Sequence, residues 1–452
     1  MKTVALFSLI ACLAIPGFAG GVGGTGGPGV TISGKLNSPF VSIHGGTAYL
    51  QLTITTPDVG SSRRRPMNLS VVLDRSGSMG DEGKMEYAKR ALYALIDQLS
   101  ENDILSVVIY DDVIEVLRPA RHVGDKRELK KIIQGIYPRG STNLGGGMVE
   151  GFHQAEMNVR KEYVNRVVLL SDGLANTGIT NPSELDRIAR RFRSKSIALT
   201  TMGVGIDYNE NLMVGLAENG GGNYYFIESP HSLASIMRKE FNLLSSLCAH
   251  DAVLELNLGR RIVMNDVIGL DWNSNAGRYI IPVGDLYSND RREFTVELGI
   301  PAREGSSVES TTPVTVANGT IRFESDRPLE SKETSFTATF NYTADAAVVE
   351  KHRDMDVQGK ADVAVSTRAV EHAMKDLDDG KAEEAAEKLQ EARQALSSSP
   401  AAATSGAGGA AVRGQEAILD SFKSMVKDSA QDARRAKKAI QYQNYKTQKG
   451  RN

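Results

Sequence analysis

An alternation that starts at Asn68 and runs to about Leu247 restricts the fold more than any other feature of the chain. Short apolar runs at 69–73, 104–110, 113–117, 166–170, 198–204 and 223–226 read as strands. Between them, stretches at 84–99, 126–134, 144–158, 182–193, 210–218 and 232–247 carry a helical apolar stripe. Strands alternating with helices make a mostly parallel, doubly wound sheet covered on both faces, which is an α/β domain. The short gap between Tyr110 and Val113 permits a hairpin, hence one antiparallel edge strand. Ligands of such sheets sit at the carboxyl ends of the strands.

The flanks have a different character. Residues 30–65 alternate in places, as in Tyr49 to Ile54, and read as β-strands joined by a polar connection containing Arg63, Arg64 and Arg65. Residues 248–344 return to β character, as in Glu293 to Leu298 and Ser335 to Phe340. Neither β segment is large enough to bury two faces alone. The expectation is a β-sandwich built from both, with the α/β domain of residues 66–247 inserted in it or followed by it. Residues 345–397 read as a helical hairpin turning at Asp379-Gly380, 398–414 as a Ser/Ala/Gly linker, and 415–452 as a basic amphipathic helix and tail.

The first residues read as an export signal. Lys2 is followed by an apolar stretch over residues 4–15 and by a small-residue site at 16–19, which places cleavage after Ala19. The alternative is lipidation at Cys12. Residues 20–29 form a glycine-rich linker whose accidental G-x-G-x-x-G has no strand before it and no helix behind it. Removal of residues 1–19 leaves Cys248 as the single cysteine, so no internal disulfide holds the exported chain. The expected location is periplasmic or extracellular, with no transmembrane segment in the mature protein.

Over 452 residues, 53 Lys and Arg nearly balance 55 Asp and Glu, which excludes a globally basic nucleic-acid binder. The balance is local rather than uniform. Residues 413–452 hold 10 Lys and Arg against 4 Asp and Glu, and residues 350–396 hold 8 against 12. The favoured reading of the basic tail is a solvated helix, with weak contact to an acidic surface as the alternative.

The chemistry concentrates in three loops at strand ends. Val71-Val72-Leu73 runs into Asp74-Arg75-Ser76-Gly77-Ser78, offering one carboxylate and two hydroxyls to a common point. Gly140-Ser141-Thr142-Asn143 precedes a helix, and Leu169-Leu170 runs into Ser171-Asp172-Gly173. Asp74, Ser76, Ser78, Thr142 and Asp172 therefore make an all-oxygen set, the kind that hard divalent cations prefer. Gly77, Gly140 and Gly173 are expected to permit tight turns there. Taken singly, each residue reads better as a helix cap or an amide partner; Thr142, for instance, stands where it would cap the next helix. Convergence of three loops reverses that preference.

The set resembles the von Willebrand factor type A domain with its metal-ion-dependent adhesion site, over roughly Asn68 to Leu247. Asp172-Gly173-Leu174-Ala175-Asn176-Thr177-Gly178 also resembles bacterial exported members and the inter-alpha-trypsin-inhibitor heavy-chain group. The resemblance implies that Asp74, Ser76 and Ser78 are first-loop metal ligands, Thr142 the second-loop ligand and Asp172 the third-loop carboxylate. It implies Mg²⁺ as the cation, with Mn²⁺ or Ca²⁺ as alternatives. It further implies a replaceable water that an Asp or Glu of a protein partner displaces.

Catalysis has little support. The seven histidines show no H-E-x-x-H, Gly77-Ser78-Met79-Gly80 is no nucleophile elbow, and Met85 stands where a Walker loop needs a hydroxyl. The Asp111-Asp112 pair sits in the expected hairpin, where turn chemistry explains it. The expected function is metal-dependent protein binding. The alternatives are a structural component with a loop-stabilising metal and, behind it, a metal-assisted hydrolase.

Overall fold

The computed structural model describes residues 29–59, 64–275, 277–303, 312–325, 332–425 and 430–450. The expected export signal, Cys12 and nearly all of the glycine-rich lead lie outside the described residues.

Three strands come first: β1 (Thr31–Leu36), β2 (Phe40–Ser42) and β3 (Gly46–Thr55). The α/β unit follows as β4 (Met67–Asp74), α1 (Lys84–Gln98), β5 (Ile104–Tyr110), β6 (Ile114–His122), α2 (Lys126–Gln134), α3 (Leu144–Glu156), β7 (Val164–Ser171), α4 (Pro182–Arg193), β8 (Ala198–Val204), α5 (Glu210–Gly220), β9 (Gly221–Ile227) and α6 (Leu233–Ser245). Its sheet runs β6-β5-β4-β7-β8-β9, parallel throughout except for β6. Every residue of β4, β5 and β7 is buried, as continuous apolar strands between two helical layers should be. The antiparallel edge is longer than the expected 113–117, because the hairpin closes through Asp111 and β6 then follows β5 back to His122.

The remaining strands are β10 (Leu247–Leu258), β11 (Val263–Val267), β12 (Asn273–Asn275), β13 (Arg278–Tyr287), β14 (Arg291–Ile300), β15 (Val314–Glu324) and β16 (Glu333–Thr343). They join the first three in two sheets, β1-β3-β14-β11 and β12-β13-β10-β15-β16-β2. Leu50, Leu52 and Ile54 of one sheet share an apolar core with Leu254, Leu256 and Phe340 of the other. The early strands thus complete the sandwich, and the α/β unit is inserted between β3 and β10. Arg166 on β7 is almost wholly buried and reaches across to Asp285 on β13 at 2.7 Å, tying insert to sandwich.

Helices α7 (Ala346–Lys351), α8 (Met355–Asp378), α9 (Ala382–Ser397), α10 (Ala407–Met425) and α11 (Ala430–Gln448) complete the chain. Two expectations need correction here. The supposed linker 398–414 is packed structure: Ala401 and Val412 are fully buried, and α10 begins at Ala407. A Cβ on Gly359 of α8 would stand 2.4 Å from the Gly408 carbonyl, so the small residues serve a close helix crossing rather than flexibility. The expected last helix is two helices, α10 and α11. Nor does α11 ride free in solvent. Lys438 is 3% exposed, Lys437 reaches Glu210 at 2.7 Å, and Lys449 reaches Glu218 at 3.2 Å. The Tyr445 hydroxyl accepts from the Tyr224 amide at 3.2 Å, occupying part of the exposed edge of β9.

Candidate functional site

The carboxyl ends of β4, β5 and β7 meet at one side chain. Asp74 closes β4 and is fully buried. Its Oδ1 accepts the Ser76 amide at 2.8 Å; its Oδ2 accepts the Ser171 hydroxyl at 2.7 Å and the Tyr110 hydroxyl at 3.3 Å. Asp172 follows β7 directly and is also fully buried. Ser78 Oγ donates to Asp172 Oδ1 at 2.9 Å and lies 3.2 Å from Ser76 Oγ. Asp74, Ser76, Ser78 and Asp172 are thereby linked into one polar cluster, with half-buried Ser78 on its outer side.

The second loop joins through the third. Thr142 donates its amide to Asn176 Oδ1 at 3.0 Å and accepts the amides of Asn176 and Thr177 on its carbonyl. A Cβ on Gly173 would stand 3.2 Å from Thr142 Oγ1 and 3.8 Å from Ser78 Oγ, so the bare backbone gives Thr142 a closeness that a side chain there would crowd. Gly140 supplies a left-handed turn at φ +71°. Gly77 does neither, since the nearest atom to a Cβ there is the Gly140 carbonyl at 3.6 Å. The capping alternative for Thr142 fails: Asn143 caps α3, its side chain accepting the Gly146 amide at 3.0 Å.

The electrostatics of Asp74 are unusual for an aspartate. Burial pushes its carboxyl up to about 6, against hydrogen bonds from Ser171 and Ser76, and the charge of Asp172 adds to the rise. Two carboxylates and three hydroxyls suit a hard divalent cation, which would relieve that repulsion. Among the described residues no group of three or more His, Cys, Asp and Glu side chains is placed to hold a metal, so any cation site here depends on hydroxyl oxygens.

Three participants escaped the sequence reading. Ser171 and Tyr110 hold Asp74, yet neither is among the expected ligands: Ser171 stands in the third loop beside Asp172, and Tyr110 ends an expected strand. Lys84 is the third: nothing in the loop motifs points to it, yet its Nζ donates to Asp172 Oδ2 at 2.7 Å with 5% of its side chain exposed. A signal was present, since Lys84 heads the buried stripe of Ala88, Leu92 and Leu95 on α1. Asp111 behaves as a turn residue: it accepts the Val113 amide at 2.6 Å and pairs with Arg75 at 3.0 Å and Arg139 at 2.8 Å. Beside Lys84 opens a cleft of about 630 Å³, lined by Asp81, Glu82, Asp207, Glu228 and Arg435 among others.

Comparison with known proteins agrees with this architecture. The family model for the von Willebrand factor type A domain matches residues 68–239. The uncharacterized protein YfbK of Escherichia coli (strain K12) is 30% identical over 211 residues, covering 46% of this chain and 37% of its own length. Inter-alpha-trypsin inhibitor heavy chain H3 of Mus musculus is 27% identical over 169 residues, 34% of this chain and 18% of its own length. The chain thus spans well under half the length of these relatives. Among solved structures, the von Willebrand factor type A protein from Catenulispora acidiphila superimposes with a TM-score of 0.68 over 94% of this chain and 98% of its own. At 15% identity that likeness is one of fold. Among the described residues no helix is long and apolar enough to cross a membrane. The chain carries a domain of the von Willebrand factor type A fold, set into a β-sandwich and clasped by C-terminal helices.

Proposed function

We propose that this protein is an exported, metal-dependent binding module whose α/β domain takes hold of an acidic group on a protein partner. Asp74, Ser76, Ser78, Thr142 and Asp172 would hold the cation, Mg²⁺ first and Mn²⁺ or Ca²⁺ as alternatives. A divalent ion bound there supplies a Lewis-acidic centre with a replaceable water, whose place a partner's Asp or Glu carboxylate takes. Ser171, Tyr110 and the Ser76 amide keep Asp74 oriented. Asn176 keeps Thr142 beside the third loop.

The observation that carries this reading is the meeting of first- and third-loop side-chain oxygens around two buried acids that lack a full complement of positive charge, with the backbone of Thr142 tied to the third loop beside them. The test is calorimetric titration of the full chain with Mn²⁺, in wild type and Asp74→Ala, followed by capture of partners from envelope extract with and without EDTA. Saturable binding that Asp74→Ala abolishes, with capture lost in EDTA and in Asp172→Ala, supports the reading. Binding without metal-dependent capture leaves the cation as a loop stabiliser. Binding unaffected by Asp74→Ala sinks the site.

A further inference from the structure

Asp172 reaches the cluster with one of its two oxygens already taken. Lys84 is the first residue of α1, and its ammonium meets Asp172 Oδ2 at 2.7 Å while Ser78 holds Oδ1 at 2.9 Å. Asp172 is fully buried and the Lys84 side chain nearly so, so water screens the contact poorly. The stem of Lys84 runs along the end of β8: a Cβ on Gly205 would stand 3.4 Å from its Cε and 3.6 Å from its Nζ. Helix α1 behind it is anchored by Met85, Ala88, Leu92 and Leu95 in the core. The ammonium is therefore a built part of the cluster.

A fixed positive charge on a metal-ligating carboxylate opposes cation binding. Asp74 and Asp172 bring two negative charges and Lys84 returns one positive, leaving a divalent ion a single net negative charge to meet. The loaded cluster then carries a net positive charge, where without Lys84 it would be neutral. A neutral cluster has little long-range pull on a carboxylate; a positive one attracts it.

We propose that Lys84 is a resident counter-charge which weakens the site's hold on its divalent ion and keeps the loaded site positive toward a partner carboxylate. The inference rests on the cation-site reading above and assigns Lys84 a charge-setting role within it. A lysine that merely anchored α1 would, when replaced, lower stability without tightening metal binding.

The experiment is Mn²⁺ titration calorimetry on the full chain, with thermal melts in EDTA and in saturating Mg²⁺, for wild type, Lys84→Met, Lys84→Gln, Lys84→Arg and Asp74→Ala. Loss of one unit charge at such short range should tighten Mn²⁺ binding about tenfold or more in Lys84→Met. Its melting temperature should fall in EDTA and gain more from Mg²⁺ than that of wild type. Lys84→Gln, which keeps a donor for Asp172 without the charge, should follow Lys84→Met, and Lys84→Arg should stay near wild type. Wild-type binding with unchanged or weaker affinity in both neutral variants overturns the role of Lys84 and leaves the cation site standing. No binding in any protein, with Asp74→Ala melting alike in EDTA and Mg²⁺, removes the cation site and this inference with it.

Discussion

The α/β domain buries carboxylates in two different ways. Glu210, the first residue of α5, is met by ammonium groups from its own chain: Lys438 contacts it directly, and Lys437 stands 2.7 Å away. Lys438 also donates to the Tyr208 carbonyl at 2.6 Å and sits 4.2 Å from the centre of the Tyr208 ring. Burial pushes the Glu210 carboxyl up, but the two ammonium groups outweigh burial and hold it below the ordinary glutamate range. Asp74 is met by two hydroxyls and an amide, and its carboxyl rises to about 6. The first acid is fully answered within the fold and acts as structure. The second retains an unmet demand for positive charge, which is what a cation site needs. Asp172, with one lysine, lies between them.

The largest test of this contrast is Lys438→Met. Breaking a buried pair by removing one partner typically costs about 3–5 kcal/mol, read here by urea unfolding and by new proteolysis within α11. Mg²⁺ should not restore the loss; a change under about 1 kcal/mol would mean that the pair is not the clasp it resembles.

Next in size is the opposite response of the two acids to pH in metal-free buffer. The folded Asp74 holds its proton more tightly than its ordinary value of 3.8. Its contribution to stability is therefore full below about pH 4 and disappears as pH rises through about 6, a swing of ~3 kcal/mol. Glu210 is shifted down from 4.5, so its contribution is present above that pH and disappears as pH falls through the lowered value. Wild type minus Asp74→Asn should accordingly decline from pH 4 to 7, and wild type minus Glu210→Gln should grow from pH 3 to 5. Denaturant melts across that range measure both, and parallel curves would erase the distinction.

The smallest effect is expected at the rim of the same clasp. Lys449 pairs with Glu218 at 3.2 Å with a quarter to a third of each side chain exposed. Lys449→Ala should cost only about 0.2–1 kcal/mol and should weaken further in salt. A loss comparable to that of Lys438→Met would show that α11 is held evenly along its length rather than at one point.

Much of this arrangement was legible in the chain. Continuous apolar runs such as Val71-Val72-Leu73 announce strands buried on both faces, and the α/β sheet follows from them. The three loops were readable because each joins a buried strand or a glycine turn to short oxygen-bearing side chains. Lys84 was obscured because a lysine is read as a solvent-facing residue unless its place on the apolar stripe of α1 is counted. Residues 398–414 misled for a related reason: alanine and glycine give the same composition to a loose tether and to a tight helix crossing, and only the partner face near Gly359 separates them. The docking of α11 was unreadable because Lys438 and Glu210 are far apart in sequence, and a basic helix alone gives no hint of which acid it will find.

The insertion gives the sandwich a mechanical position. The chain enters the α/β domain from β3 and leaves it into β10, which lie in different sheets. Both crossings are stitched to the turn between β13 and β14: the Asn289 amide donates to the Pro57 carbonyl, and the Ser288 amide to that of Ser246. Tension applied at the loops that end β4 and β7 would descend through both sheets at once and load that single turn as a buckle, so rupture would demand shearing two strands together rather than peeling one.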